Sequence, residues 1–176
     1  MILDSFAEKH KLNFTPDKGD YYSVGSSLSA SHFYLIKPTT YMNLSGIAVA
    51  HLMETKKIEI NNLLIIADDI NLPTGKIRFR ESGGDGGHNG LASVIYSLGT
   101  NKFNRLRFGV GNNFAKGEMP DYVLNNFYEN EKEIVRLAIS FSVVLIEKFI
   151  TGGKKEMMNY YSKEANNLFN KFNNPN

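Results

Sequence analysis

Two periods of apolar spacing run along this chain, and the changes of period mark its elements. Ile2, Leu3, Phe6 and Leu12 recur at roughly helical intervals with Asp4, Glu8, Lys9 and Lys11 between them, predicting a helix over residues 2–12. After the polar turn Asp17-Lys18-Gly19-Asp20, two segments read as strands of a hairpin-like pair: Tyr21-Tyr22-Ser23-Val24 and His32-Phe33-Tyr34-Leu35-Ile36-Lys37. The Ser-rich stretch between them is expected to be a mobile loop. Pro38 ends the second strand, and residues 39–46 lead into a helix through Ile47, Val49, Leu52 and Met53 that ends near Lys57. The apolar run Leu63-Leu64-Ile65-Ile66-Ala67 then stops at Asp68-Asp69, the pattern of a strand buried on both faces as in a parallel sheet.

Strict alternation follows. Lys76-Ile77-Arg78-Phe79-Arg80 puts three cations on one face of a strand and two apolar residues on the other. Residues 91–98 read as a helix, and Asn104-Arg105-Leu106-Arg107-Phe108-Gly109-Val110-Gly111 alternates again, with Arg105 and Arg107 opposite Leu106, Phe108 and Val110. Residues 109–117 form a loop and 119–124 a short flap-like segment. Two helices close the chain, over 129–151 up to Gly152-Gly153 and over 154–169, before a tail at 170–176 that is expected to fray. Strands alternating with helices predict a single α/β domain over residues 1–176, a three-layer α/β/α sandwich around a mixed, mostly parallel twisted sheet.

Composition narrows the chemistry. The chain has 176 residues, 42% hydrophobic and 22% charged, which fits an ordinary globular domain. It contains no cysteine, so disulfides, thiolate metal sites and cysteine nucleophiles are excluded. A net charge of +2 is too slight to name a partner. The longest membrane candidate, residues 134–150, is interrupted by Arg136, Ser140, Ser142, Glu147 and Lys148, and the start has no basic region before an apolar one. The expectation is a soluble cytoplasmic protein without a membrane partner.

Chemistry concentrates between Asp68 and Leu98. Asp68 and Asp69 stand where a buried strand ends, and ligands of open α/β sheets gather outside such ends. Two adjacent carboxylates suggest a cation, but strand neighbours face opposite ways and no acidic cluster completes a shell. One carboxylate orienting a histidine is the better reading, beside a plain cap for the next turn; no metal or cofactor is expected. The loop Glu81-Ser82-Gly83-Gly84-Asp85-Gly86-Gly87-His88-Asn89-Gly90 lacks the Gly-Lys-Ser/Thr of a phosphate loop and the third glycine of a dinucleotide fingerprint. It is either a tight turn or a binding loop whose N–H groups cradle an anion, and its glycine density together with His88 and Asn89 favours binding. Asn43 and Asn89 sit at helix starts, where capping is the commoner role; beside a carboxylate they also suit an amide that orients water or meets an oxyanion. Lys37, Lys76, Arg78, Arg80, Arg105 and Arg107 are solvated faces or the footprint of a phosphate-rich partner. No Gly-x-Ser-x-Gly elbow exists, and His10, His32 and His51 lie in surface or helix contexts.

Four segments together resemble the bacterial peptidyl-tRNA hydrolase family: Lys37-Pro38-Thr39-Thr40-Tyr41-Met42-Asn43-Leu44-Ser45-Gly46, Asp68-Asp69-Ile70-Asn71-Leu72-Pro73-Thr74-Gly75, the loop from Gly83 to Leu91, and Phe103-Asn104-Arg105-Leu106-Arg107-Phe108-Gly109-Val110-Gly111. The resemblance implies a monomeric, metal-free α/β/α enzyme that cleaves the ester between a peptide and the terminal ribose of tRNA, recycling tRNA. It implies that Asp68 orients the catalytic histidine and that Asn43 and Asn89 bind substrate and position the attacking water. It makes Tyr41 and Met42 pocket walls, His88, Gly86 and Gly87 a backbone cradle, and the Lys- and Arg-bearing strands the RNA side. The pattern departs at the front. Family members open with a buried strand, a Gly-Asn-Pro-Gly loop and an Arg-His-Asn-x-Gly-Phe segment carrying the general-base histidine, whereas this sequence starts at the helix that follows. A positioned base is worth about 10²–10⁴ in rate, so the chain as written is expected to be nearly inactive. The rival expectation is a non-hydrolytic relative that keeps the RNA cradle, and a metal-dependent phosphoesterase is the weakest reading.

Overall fold

The computed structural model describes residues 1–173; 174–176, the end of the tail expected to fray, lie outside the described residues. Eleven elements follow in order: α1 (Ile2–Lys9), β1 (Thr15–Asp17), β2 (Tyr21–Leu28), β3 (Ser31–Pro38), α2 (Ser45–Lys56), β4 (Leu64–Asp69), β5 (Ile77–Arg80), α3 (Asn89–Leu98), β6 (Asn104–Gly109), α4 (Met119–Leu124) and α5 (Lys132–Asn173). A 3₁₀ turn, Met42–Leu44, precedes α2. The first helix is shorter than its pattern predicted because Lys11 turns the backbone to positive φ.

The strands form two three-stranded sheets, β1-β2-β3 and β4-β6-β5. Among these pairings only β4–β6 is parallel, so the expected mostly parallel sheet is mixed and largely antiparallel. Parallel pairing needs a crossover of about a dozen residues, and the short link 70–76 after β4 can only send β5 back in the opposite direction. The Ser-rich stretch expected to be a mobile loop is strand instead: Gly25, Ser26 and Ser27 pair with Tyr34, Phe33 and His32, so cross-strand pairing overrides local composition.

The two sheets share the same helical layers, which is why the three-layer arrangement holds. On one side Leu35 of β3 and Leu64 and Ile66 of β4 join Phe6 of α1 and Val143 and Ile146 of α5. Farther along that side, Ile77, Phe79, Leu106 and Phe108 pack on Val135, Ala138, Phe141 and Leu145. On the other side Ile36 of β3 and Ile65 and Ala67 of β4 meet Val49 of α2 and Leu91 and Val94 of α3. Yet β3 and β4 are not hydrogen-bonded to each other. Their free edges line one cleft of about 1630 Å³, and β4, expected to be buried on both faces, is half-buried from Leu64 to Asp68.

The final helix breaks where the two glycines predicted. Gly153 sits at φ 65°, ψ −166°, a backbone region open essentially to glycine alone. The break folds the second segment back, so that Tyr160 and Tyr161 reach the Phe141 ring and the Tyr161 hydroxyl donates to the Ile77 carbonyl at 2.8 Å. A Gly153→Ala substitution is therefore expected to lower stability by about 1–3 kcal/mol in urea unfolding; an unchanged midpoint would show that the break carries no strain for a side chain.

Candidate active site

The site begins with the alternation at the end of β4. Asp69 turns inward and is 3% exposed. One of its oxygens accepts the Asn71 N–H at 2.9 Å, and the other lies 2.9 Å from Arg107 Nε. It is thus a turn cap with a buried counter-charge. Asp68 points the other way, with its side chain 40% exposed, into the mouth of the cleft.

His88 holds Asp68 from one side. Its Nδ1 accepts the Gly90 and Leu91 N–H groups at 3.0 and 3.2 Å, so this histidine is the N-cap of α3. An accepting Nδ1 carries no proton, which assigns the ring proton to Nε2, and Nε2–H donates to Asp68 Oδ1 at 3.1 Å. This hydrogen bond, aided by the Arg107 charge and opposed by burial, keeps the Asp68 carboxyl below its ordinary range. Both His88 nitrogens are consequently engaged, and neither offers a free lone pair for general-base work. The other three histidines bond elsewhere: His10 to Glu147, His32 to Ser27 and His51 to Tyr21.

Asn89, expected to start the helix, is its exposed first residue, displaced from the cap by His88. Sequence reasoning misses this because Ser, Thr, Asp and Asn dominate caps. Asn43 is exposed in the 3₁₀ turn, which packs on the start of α3: a Cβ at Gly90 would lie 2.7 Å from the Met42 sulfur. The two asparagines therefore stand on touching elements. Tyr41 and Met42, with Leu44 and Ile47, form an exposed apolar lip, and Thr40, Met42 and Gly90 join Asp68 and His88 in lining the cleft.

The glycine loop departs from the open cradle read in the sequence. The Gly87 N–H is bonded to the Asp85 carboxylate at 2.7 Å and the His88 N–H to the Asp85 carbonyl at 3.2 Å, so the loop's own aspartate takes up donors assigned to an anion. The six cations separate as well. Lys37 is bonded to Asp4 and lies 4.2 Å from the Phe14 ring centre. Arg78 and Lys76 are half-buried and Arg80 is exposed on the β5 side. Arg105 and Arg107, expected on the RNA side, are turned into the protein, Arg105 to 1% exposure, because their face of β6 lies beneath the glycine loop. Among the described residues no group of three or more acidic or histidine side chains could hold a metal ion.

An α/β/α sandwich with a half-buried, histidine-bonded carboxylate at a strand end, exposed asparagines on two elements beside it and an apolar lip is an arrangement compatible with a hydrolase. A sequence profile described as peptidyl-tRNA hydrolase matches residues 1–168. Curated relatives named peptidyl-tRNA hydrolase include one from Azobacteroides pseudotrichonymphae, 42% identical over 165 residues, which covers 93% of this chain and 87% of the relative. Another, from Phocaeicola vulgatus, is 38% identical over 164 residues with the same coverage. The crystal structure of peptidyl-tRNA hydrolase from Acinetobacter baumannii superposes with a TM-score of 0.83 at 29% identity, covering 90% of this chain and 81% of that one. This chain belongs to the peptidyl-tRNA hydrolase family.

The depressed Asp68 carboxyl sets a pH test. A group whose folded-state value is lowered contributes stability that is fully present above its ordinary 3.8 and is lost as the pH falls below it. Carboxyl ¹³C shifts should show Asp68 titrating below 3.8. In His88→Ala, with burial left unopposed by the imidazole, the midpoint should move up; an unmoved midpoint would mean that His88 is not the cause.

Proposed function

We propose that this chain hydrolyses the ester linking a peptide to the terminal ribose of tRNA, returning free tRNA to translation. The observation that carries the reading is Asp68: a carboxylate held on one side by His88, open on the other, at the mouth of a cleft beside the Asn43 turn and the Asn89 helix start. Ester hydrolysis needs an activated water and donors for the oxyanion. The open side of Asp68 can take the N–H of a further histidine, leaving that ring's other nitrogen to draw a proton from water. The Asn43 and Asn89 amides would hold the water and the ester carbonyl, and the Tyr41–Met42 lip would receive the peptide.

That further histidine belongs, on this reading, to an extended segment entering between β3 and β4. What supports it is the cleft: two unpaired strand edges, with apolar side chains of both strands sharing one cluster on each face. A strand there would join the two sheets into one and bury β4 on both edges. The exposed Arg80 and its neighbour Arg78 would meet phosphate.

In a peptidyl-tRNA hydrolysis assay, a form extended upstream by the histidine segment should cleave about 10²–10⁴ times faster than the 176-residue chain, and Asp68→Ala should remove a similar factor from the extended form. Equal rates for the two lengths would overturn the assignment of the base, and tRNA binding without turnover by either would favour a purely RNA-binding role. Arg80→Ala should weaken tRNA binding and reduce the salt slope by about one; an unchanged slope would remove Arg80 from the interface.

A further inference from the structure

We propose that Arg105 and Arg107 are positioning residues that set α3, and with it Asn89, against Asp68. The proposal rests on the reading of Asp68 and Asn89 as the site.

Arg105 is 1% exposed, and among the described residues no carboxylate is bonded to it and its Nε has no hydrogen-bond partner. A buried cation is costly unless its donors are used, and a simple core position would be filled better by an apolar chain. Its two terminal nitrogens account for its presence. One donates to the Gly84 carbonyl at 2.7 Å and the other to the Asn101 carbonyl at 2.9 Å, with the guanidinium 4.2 Å from the Phe103 ring centre. Gly84 lies in the loop that enters α3, and Asn101 lies just after the Gly99 cap that ends it. One guanidinium therefore ties down the chain on both sides of the helix and opposes its sliding along the sheet.

Arg107 continues the same row. Its Nε faces Asp69 at 2.9 Å, and its terminal nitrogens lie beneath Gly86, where an added Cβ would come within 3.1 Å of Nη2 and where φ is +63°. His88 then reaches Asp68. Loop residues 84, 86 and 88 thus meet 105, 107 and 68 in turn. Arg105 and Arg107 share one face of β6, so the loop crosses that face before His88 reaches the end of β4. Beyond His88, the Gly90 and Leu91 amides donate to its Nδ1, so the helix start hangs on the residue that the loop delivers.

The test is amide hydrogen exchange on the full chain, a measurement that needs no turnover. In Arg105→Met, which keeps apolar bulk and removes every donor, Gly90 and Leu91 should lose at least about tenfold in protection while the β2 and β3 amides keep theirs. Arg105→Lys, which restores one cationic donor group, should recover part of the loss. Unchanged protection at Gly90 and Leu91, or an equal loss in β2 and β3, would overturn the proposal. Should Arg105→Met fail to fold, Gly86→Ala crowds Arg107 from above with Arg105 intact. It should lower the same two protections, and no change there would overturn the proposal equally. Absence of hydrolysis would count against the function proposed above and leave this result standing, while failure of the clamp would leave the role of Asp68 open to its own assay.

Discussion

Neighbouring residues of a strand face opposite ways, and this constraint, applied at the end of β4, lays out the whole centre. Asp69 goes inward and becomes a buried, paired turn cap; Asp68 goes outward and becomes a carboxylate with one side free. Because Asp68 is bonded to His88, and His88 caps α3, this carboxylate and the helix bearing Asn89 are parts of one hydrogen-bonded unit. The glycine loop exists in this form to deliver His88 to that point. Its floor is two inward-turned arginines, and its Gly87 N–H is taken up by its own Asp85 carboxylate.

Much of this was legible in the chain. The alternation of 76–80 correctly separated Ile77 and Phe79 from the cations, the Gly152-Gly153 pair located the helix break, and the adjacent aspartates implied carboxylates on opposite faces of the strand. Other features lay beyond local pattern. The arginines of Asn104-Arg105-Leu106-Arg107 alternate just as those of β5 do, and only the loop folded over β6 makes one set internal. A histidine cap is rare enough that Asn89 seemed the better candidate. Gly25 to Ser27 looked like loop because serine and glycine disfavour strands; their partners lie across the hairpin, out of reach of a local reading.

The cleft between β3 and β4 ties the site to the fold. Helices cover both faces of β3 and β4, so their apolar side chains are buried well enough for the layers to hold, while the two strands make no hydrogen bonds to each other. Asp68 stands at one end of that opening. The strand edge that faces the cleft is the edge of the strand that ends in Asp68 and Asp69.

The central claim is that His88 is a fixed partner of Asp68 and not the base, and the ¹⁵N shifts of its ring test this most directly. A long-range ¹H–¹⁵N correlation near neutral pH should show Nε2 protonated and Nδ1 bare, one tautomer without exchange. A protonated Nδ1, or rapid averaging of the two tautomers, would free a ring nitrogen for catalysis and contradict the account.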